Sequence, residues 1–373
     1  MSNQTAPPLG PPSDLSWPPE LPGDPSPGRK SFGWAKWLTA LSVLVIVVAV
    51  AGTVIRLPYD TLAPGGTLNL ETRVSAPGTK TYPTRGSLML LFVSERAHVN
   101  VWGWLQAKLD PDIDLIKQVQ VNGGNSQQES DQQDVCDMAQ AQSNAKVAAL
   151  SALGYHVPTV PGLAVIDLFA GLPAVKVLRP CDHILAADGH DVTRSTELSK
   201  ILKSHPVGST VALRIERAGQ TMTVRVPVTS SQNTHIIGVE LSPRFKIPVN
   251  INLDTSAVSG PSGGLAMSLA IIDALTPGDL TGGKQVAVTG TIDPDGNVGE
   301  IGGLPQKAVV ARRAHAQIFL VPACTDDGCR QDLATARKRV GKNVELRPVA
   351  TLAQALQVLR DAGGAPVRAL TKT

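Results

Sequence analysis

Aromatic side chains make up only 3% of the 373 residues, histidines number seven, and no long block of one charge occurs. So few rings cannot build a base-stacking surface. A net charge of +3, from 34 basic and 31 acidic residues spread along the chain, is too small to hold a phosphate backbone. Nucleic acid is therefore not an expected partner. No Cys-x-x-Cys pair and no histidine cluster is present, which removes the usual zinc sites, and no metal is expected. A Gly-x-x-x-x-Gly-Lys-(Ser/Thr) loop is also missing, since Gly282-Gly283-Lys284-Gln285 lacks both the frame and the hydroxyl. Neither a nucleotide nor any other cofactor is expected. Cysteine is scarce, at four. Cys324 and Cys329 flank the turn-like Thr325-Asp326-Asp327-Gly328 and could close a small disulfide loop. Cys136 and Cys181 lie far apart, so three pairings stay open; an oxidising compartment suits all of them.

Long hydrophobic runs are absent but for one. Trp37 to Ile55 carries no charge over nineteen residues, close to the roughly 20 that span a hydrocarbon core. Residues 1–33 before it are rich in Pro, Ser and Gly, a composition that buries too little surface to fold, and are expected to be a disordered tail. Arg29, Lys30 and Lys36 precede the run, so the positive-inside rule puts the tail in the cytoplasm and the rest outside. The expectation is one transmembrane helix over 34–56, a single pass through a lipid bilayer. Two other readings stand: a buried helix of a soluble protein, or a signal peptide cut after the small-x-small triplet Ala49-Val50-Ala51. The long tail and the continuation of the run past that triplet favour a retained anchor.

The chain beyond residue 56 has room for two or three cores, given an apolar content of 42% overall. Leu68–Val74 and Gly86–Val93 read as strands, Asn100–Leu109 as a short helix, and Asn122–Gln133 as a polar loop. From Asp134 to Leu153 apolar residues recur every three or four positions, giving an amphipathic helix. Leu163–Phe169 reads as a strand and Ser195–Ser204 as a helix. Thr210–Glu216 and Thr221–Val228 form a hairpin turning at Arg217-Ala218-Gly219-Gln220.

The chemistry centres on residues 258–308. Val258-Ser259-Gly260-Pro261-Ser262-Gly263-Gly264 precedes Leu265–Leu275, apolar almost all round and so a buried helix. Ser262 would sit at that helix's positive end, where unpaired N–H groups could hold an oxyanion, with Gly260, Pro261 and Gly263 shaping the loop. Farther on, Gly299-Glu300-Ile301-Gly302-Gly303-Leu304-Pro305-Gln306-Lys307 is a Gly turn entering a helix, with Pro305 in its first turn. A hydroxyl needs a base, and lysine can serve if burial lowers its pKa. The bland alternative makes Ser262 a helix N-cap and Lys307 a solvated surface residue. Gly260-x-Ser262-x-Gly264 also fits a nucleophile elbow, with Asp293 or Asp295 and His315 as partners, but the chain before Ser262 lacks the strand–helix alternation that fold needs.

Asn252 to Pro322 resembles the proteolytic domain of Lon proteases, whose serine lies in a Gly-Pro-Ser-small-Gly loop and whose lysine ends a Gly-Gly-aliphatic-x-x-Lys turn. The resemblance implies a Ser262/Lys307 dyad. Val288-Thr289-Gly290-Thr291-Ile292 is similar to the family's Thr-Gly-Glu-Ile strand, which makes Thr289 the support of the lysine. The likeness continues through Ile318–Pro322 and Val344–Leu346 to a helix over Thr351–Leu359. Two departures are Ser259, where many relatives are acidic, and Thr291 in place of the glutamate.

Leu178-Arg179-Pro180-Cys181-Asp182-His183-Ile184-Leu185-Ala186-Ala187-Asp188-Gly189 resembles the Leu-x-Pro-Gly-Asp-x-Ile-Leu-x-x-(Asp/Asn)-Gly signature of PDZ domains, with Cys181 in place of a glycine. That likeness implies a peptide C-terminus added along Gly162, Leu163, Ala164 and Val165, opposite the 195–204 helix. A degenerate PDZ domain that only packs on its neighbour is the alternative. Taken together, the chain resembles PDZ-containing Lon-like (S16-type) membrane-anchored serine proteases of Gram-positive and actinobacterial type. The implied fold class is α+β, a Lon-type unit with an inserted PDZ domain, a β-sandwich or barrel with helices. Expected boundaries are 57–156 for the first part of the Lon-like unit, 157–242 for the PDZ domain, 243–362 for the proteolytic domain and 363–373 for a tail. The implied function is ATP-independent cleavage of exposed or unfolded peptide segments outside the membrane. A catalytically inactive tethered scaffold is the rival reading. Homo-oligomerisation is left open.

Overall fold

The computed structural model describes residues 33–117 and 127–367. The described residues divide into two compact units, one ending at Gly52 and the other beginning at Thr53. The expected tail and the first part of the 122–133 loop lie outside the described residues. Helix α1 (Gly33–Val54) contains a stretch, Lys36–Val54, long and apolar enough to cross a membrane.

The second unit opens with β1 (Tyr59–Asn69), β2 (Val74–Ser75), β3 (Ser87–Arg96), α2 (Val101–Leu109), β4 (Asp114–Lys117) and the long α3 (Gln127–Ala152). Next come β5 (Thr159–Leu168), β6 (His183–Ala187), β7 (His190–Asp191), α4 (Ser195–Ser204), β8 (Thr210–Arg217), β9 (Gln220–Pro227), β10 (Thr229–Ser231), β11 (Thr234–Ile236) and β12 (Val239–Phe245). The chain returns through β13 (Asn252–Leu253), a 3₁₀ turn Pro261–Gly263, α5 (Gly264–Leu275), β14 (Gln285–Val288), β15 (Thr291–Ile292) and β16 (Val298–Gly299). It ends with α6 (Leu304–Arg313), β17 (Ile318–Pro322), α7 (Asp327–Val340), β18 (Glu345–Val349) and α8 (Leu352–Asp361).

One mixed sheet, in the order β18-β17-β14-β3-β1-β4, takes three strands from before residue 159 and three from after 245. Residues 159–245 are thus an insertion within one folding unit, and they form a separate antiparallel sheet in the order β12-β5-β6-β8-β9. In the mixed sheet β3, β14 and β17 carry apolar runs without alternation because both of their faces are covered. Leu88 and Leu90 of β3, Val286 and Val288 of β14, and Ile318 and Leu320 of β17 join the core under α3, α5 and α8. Their neighbours Met89, Leu91, Ala287, Phe319 and Val321 point the other way, against α6 and α7.

Several expectations shift. The first strand ends at Asn69 and turns, because Arg73 N–H closes on the Leu70 carbonyl, rather than running to Val74. Residues 127–133 are helical, not loop: Gln133 reaches Asp137 along the same helix and so extends it. The 288–292 strand is broken after Val288, where Gly290 takes φ +143°, and Thr291–Ile292 turns away to pair with Val298–Gly299. All four cysteines are bonded, Cys324 to Cys329 and Cys136 to Cys181. Cys181 holds φ +66°, a left-handed turn in which its glycine counterpart would be relaxed.

Candidate active site

The helices that carry the two key residues start at the carboxyl end of the central strand β14, on opposite faces of the sheet. The Ser262 turn heads α5, whose residues Gly264–Ile272 are all buried. That turn packs tightly, since a Cβ on Gly263 would come within 2.4 Å of Leu90. Lys307 lies in the first turns of α6, its N–H bonded to the Gly303 carbonyl. Between them, Thr289 follows the last residue of β14.

Lys307 is 2% exposed, yet its Nζ lies 2.9 Å from Ser262 Oγ and 3.2 Å from Thr289 Oγ1. Thr289 Oγ1 in turn donates to the Ser262 carbonyl at 3.3 Å, and Gly290 N–H donates to the same carbonyl at 2.9 Å. The 289–290 corner therefore grips the serine's backbone and the lysine's amine together. Gly290 is required there: its φ of +143° disfavours any side chain, and a Cβ would meet Val298 at 2.8 Å. Burial drives the Lys307 pKa from 10.5 down to about 8. Among the described residues no carboxylate opposes that effect, so a share of neutral amine exists near neutral pH.

The N-cap reading does not match this arrangement. The cap of α5 is Gly263, while the Ser262 hydroxyl meets the lysine, and Lys307 is not solvated. The elbow partners lie elsewhere, Asp293 accepting from Asp295 and Asn297 in its own turn and His315 closing the end of α6. Among the described residues no group of three or more His, Cys, Asp or Glu could hold a metal ion.

Sequence reasoning missed Asp134. It sits on α3, distant in sequence, and accepts from Ser259 Oγ at 3.3 Å just ahead of the serine loop. Gln142 of the same helix donates to Thr255 Oγ1 at 2.7 Å. Nothing in the local sequence of either residue signals these long-range contacts.

The assignment of a peptide strand to Gly162, Leu163, Ala164 and Val165 needs correcting. Strand β5 is interior: Leu163 and Ala164 pair with Ile184 and His183 on one side, and with Pro243 and Ser242 on the other. No edge is left for an added strand. The edge strands are β12 and β9, and of these β12 has α4 beside it, the helix packing against β11 and β12. Gly238, just ahead of β12, has φ +86°, and a Cβ there would lie 2.2 Å from Leu172. The signal that could have found it is Ile236-Ile237-Gly238-Val239, a glycine between aliphatics ahead of a strand.

Residues 221–361 match the family model of the Lon protease (S16) C-terminal proteolytic domain, and residues 131–228 match that of the PDZ domain. The chain carries a Lon-type proteolytic domain and a PDZ domain. The Lon protease of Neorickettsia sennetsu is 34% identical over 110 residues, covering 29% of this chain and 13% of that protein. That of Trichlorobacter lovleyi is 34% identical over 112 residues, covering 30% and 13%. The chain thus spans about an eighth of the length of these curated relatives. The PDZ domain of an SdrC-like protein from Listeria monocytogenes aligns with 22% of this chain and 90% of its own at 27% identity, with a TM-score of 0.21. In the Lon-type domain Ser259 faces Asp134, so an acidic group from α3 stands beside a position that is itself neutral.

Proposed function

We propose that this protein is an ATP-independent serine endopeptidase, anchored by α1 with its body on the extracytoplasmic side, in which Ser262 is the nucleophile and Lys307 its base. The observation that carries the reading is the buried lysine amine 2.9 Å from the serine hydroxyl. In the neutral amine the direction of that bond reverses, and the Ser262 O–H donates to Nζ. As Oγ attacks a peptide carbonyl, its proton passes to Nζ and the carbonyl π electrons move to oxygen. Backbone N–H groups at the head of α5 stabilise the oxyanion; Pro261, lacking an N–H, shapes the loop but cannot donate. The ammonium then protonates the departing amine nitrogen, leaving an acyl-Ser262 ester. A water, deprotonated by the same amine, hydrolyses that ester and restores the site. Thr289 keeps Nζ aimed at Oγ.

Two disulfides suit the oxidising side of a membrane, in agreement with the charges that precede α1. Substrates on that side are expected to be unfolded or exposed segments. The PDZ domain would take a peptide C-terminus in the groove between β12 and α4. The full chain should cleave an unfolded protein without nucleotide, and Ser262→Ala and Lys307→Arg should both abolish turnover. A Lys307→Ala protein cleaving at the wild-type rate would remove the dyad. Digestion of the body by a protease added to intact cells tests the topology, and its protection would reverse the orientation.

A further inference from the structure

Helix α2 presents an apolar face with no role in the site. Trp102, Leu105 and Leu109, at i, i+3 and i+7, are 42%, 40% and 77% exposed, while Ala107 on the opposite side is buried against the body. With Pro111 they border a hollow of about 560 Å³. A soluble surface rarely gathers large apolar side chains in such a row, and rows of this kind mark contact faces.

The position of α2 in the chain indicates what covers it. Its N-cap, Asn100, accepts from Gly103 N–H and donates through Nδ2 to the carbonyl of Thr53, the next-to-last residue of the apolar span. Arg56 and Asn100 form an antiparallel bridge, and Leu57 N–H donates to the Val99 carbonyl. The beginning of α2 is thus stitched to the point where the span ends. Val54 and Ile55, 70% and 52% exposed, continue the same apolar character. Lys108 projects beside the Trp104 ring, 5.8 Å from its centroid, and supplies a cation at the rim.

We propose that the Trp102–Leu105–Leu109 face of α2 lies in the headgroup layer of the bilayer that α1 crosses. The inference rests on the reading of α1 as a membrane anchor. A helix whose exposed side carries tryptophan and leucine, with a lysine at its rim, suits that layer, where tryptophan is enriched and lysine reaches the headgroups. A protein partner would use the same side chains, but only the bilayer is already brought to this face by the chain's own covalent path. The contact would hold the proteolytic body against the membrane through a second point besides the anchor.

The test uses the full chain in phosphatidylcholine/phosphatidylglycerol vesicles whose acyl chains carry bromine near the headgroups. The Trp102 signal is the emission difference between wild type and Trp102→Phe; the Trp37 signal, from the anchor, comes from Trp37→Phe in the same way. The expected result is that both components are quenched to a similar extent. A Leu105→Asp/Leu109→Asp double variant should lose the Trp102 quenching, keep that of Trp37, and cleave a soluble substrate at the unaltered rate. Quenched Trp37 with unquenched Trp102 would overturn the proposal and leave the anchor standing. Two unquenched signals would overturn the anchor and the proposal together. Trp102 quenching that survives in the double variant would also overturn it.

Discussion

Replacing Lys307 by methionine should inactivate the enzyme and, near neutral pH, stabilise it. The buried amine has its pKa lowered from 10.5 to about 8. At roughly 1.4 kcal/mol per pH unit, holding an ammonium in this site costs the folded state about 3 kcal/mol. Below pH 8 the lysine is protonated in both the folded and the unfolded chain, and the full penalty applies. Between about 8 and 10.5 the folded chain has released a proton that the unfolded chain still binds, so stability rises with pH. Above 10.5 both are neutral and the penalty is gone. Methionine has nearly the same length and does not titrate. Its loss of bonds to Ser262 and Thr289 subtracts about 1–2 kcal/mol at every pH. The stability of Lys307→Met relative to wild type should therefore be about 3 kcal/mol more favourable at pH 7 than at pH 10.5. Guanidinium unfolding of the full chain in detergent, followed by ellipticity at several pH values, measures this, and groups common to both proteins cancel. A difference that stays constant over that range would show an unshifted lysine and refute the reasoning, as would wild-type cleavage that does not rise with pH through about 8.

Thr289→Val removes the hydroxyl that accepts from Lys307 and donates to the Ser262 carbonyl; kcat should fall by about tenfold with KM little changed, and Thr289→Ser should recover most of it. Asp273, buried in α5 and accepting from Leu280 N–H, has its pKa raised by burial from 3.8 to about 7. The folded chain keeps its proton longest, so wild-type stability should decline relative to Asp273→Asn as pH rises from 4 to 7, and thermal melts that show the opposite slope would contradict it. In full-length Ser262→Ala protein, a peptide with a free C-terminal carboxylate should bind more tightly than its amide, and Gly238→Val should abolish the preference while far-UV ellipticity is kept; equal affinity for acid and amide would exclude C-terminal recognition.

Elements whose signals are local were legible in the sequence. The Ser195–Ser204 helix and the hairpin around Ala218-Gly219 stand where the pattern puts them, because capping, turn residues and side-chain period all act within a few positions. The run Leu88–Leu91 can be read as buried but not assigned to two cores, since that depends on helices arriving from both ends of the chain. The strand through Thr289 departs from its pattern for the same reason. Its apolar and β-branched residues favour extension, but the corner at Gly290 is imposed by the Ser262 carbonyl it must reach. Motif alone picks out the serine and the lysine. Their 2.9 Å approach and the burial of the amine are tertiary facts that spacing along the chain does not contain.

The same limit explains the misplaced peptide strand, and it bears on how the two domains work together. A glycine followed by aliphatic residues occurs at Gly162, inside β5, and again at Gly238, ahead of β12, and only the pairing order distinguishes the interior strand from the edge. With β12 at an edge, that strand leads directly, through residues 246–261, to Ser262. Helix α3 braces both ends of that path. On the PDZ side it is tied by the Cys136–Cys181 disulfide, by Gln133 to the Ile166 carbonyl, and by Gln140 to Ser242 of β12 itself. On the proteolytic side it holds Thr255 through Gln142, Ser259 through Asp134 and the Ile292 carbonyl through Asn144. A single helix, fastened covalently at Cys136, thus runs from the β12 edge of the PDZ domain to the loop that carries Ser262. Cutting the link by Cys136→Ser/Cys181→Ser should loosen the first set of contacts and leave the hydrogen bonds to Thr255, Ser259 and the Ile292 carbonyl in place, so cleavage should keep its rise with pH through about 8, and loss of that profile would show that the disulfide supports the dyad as well.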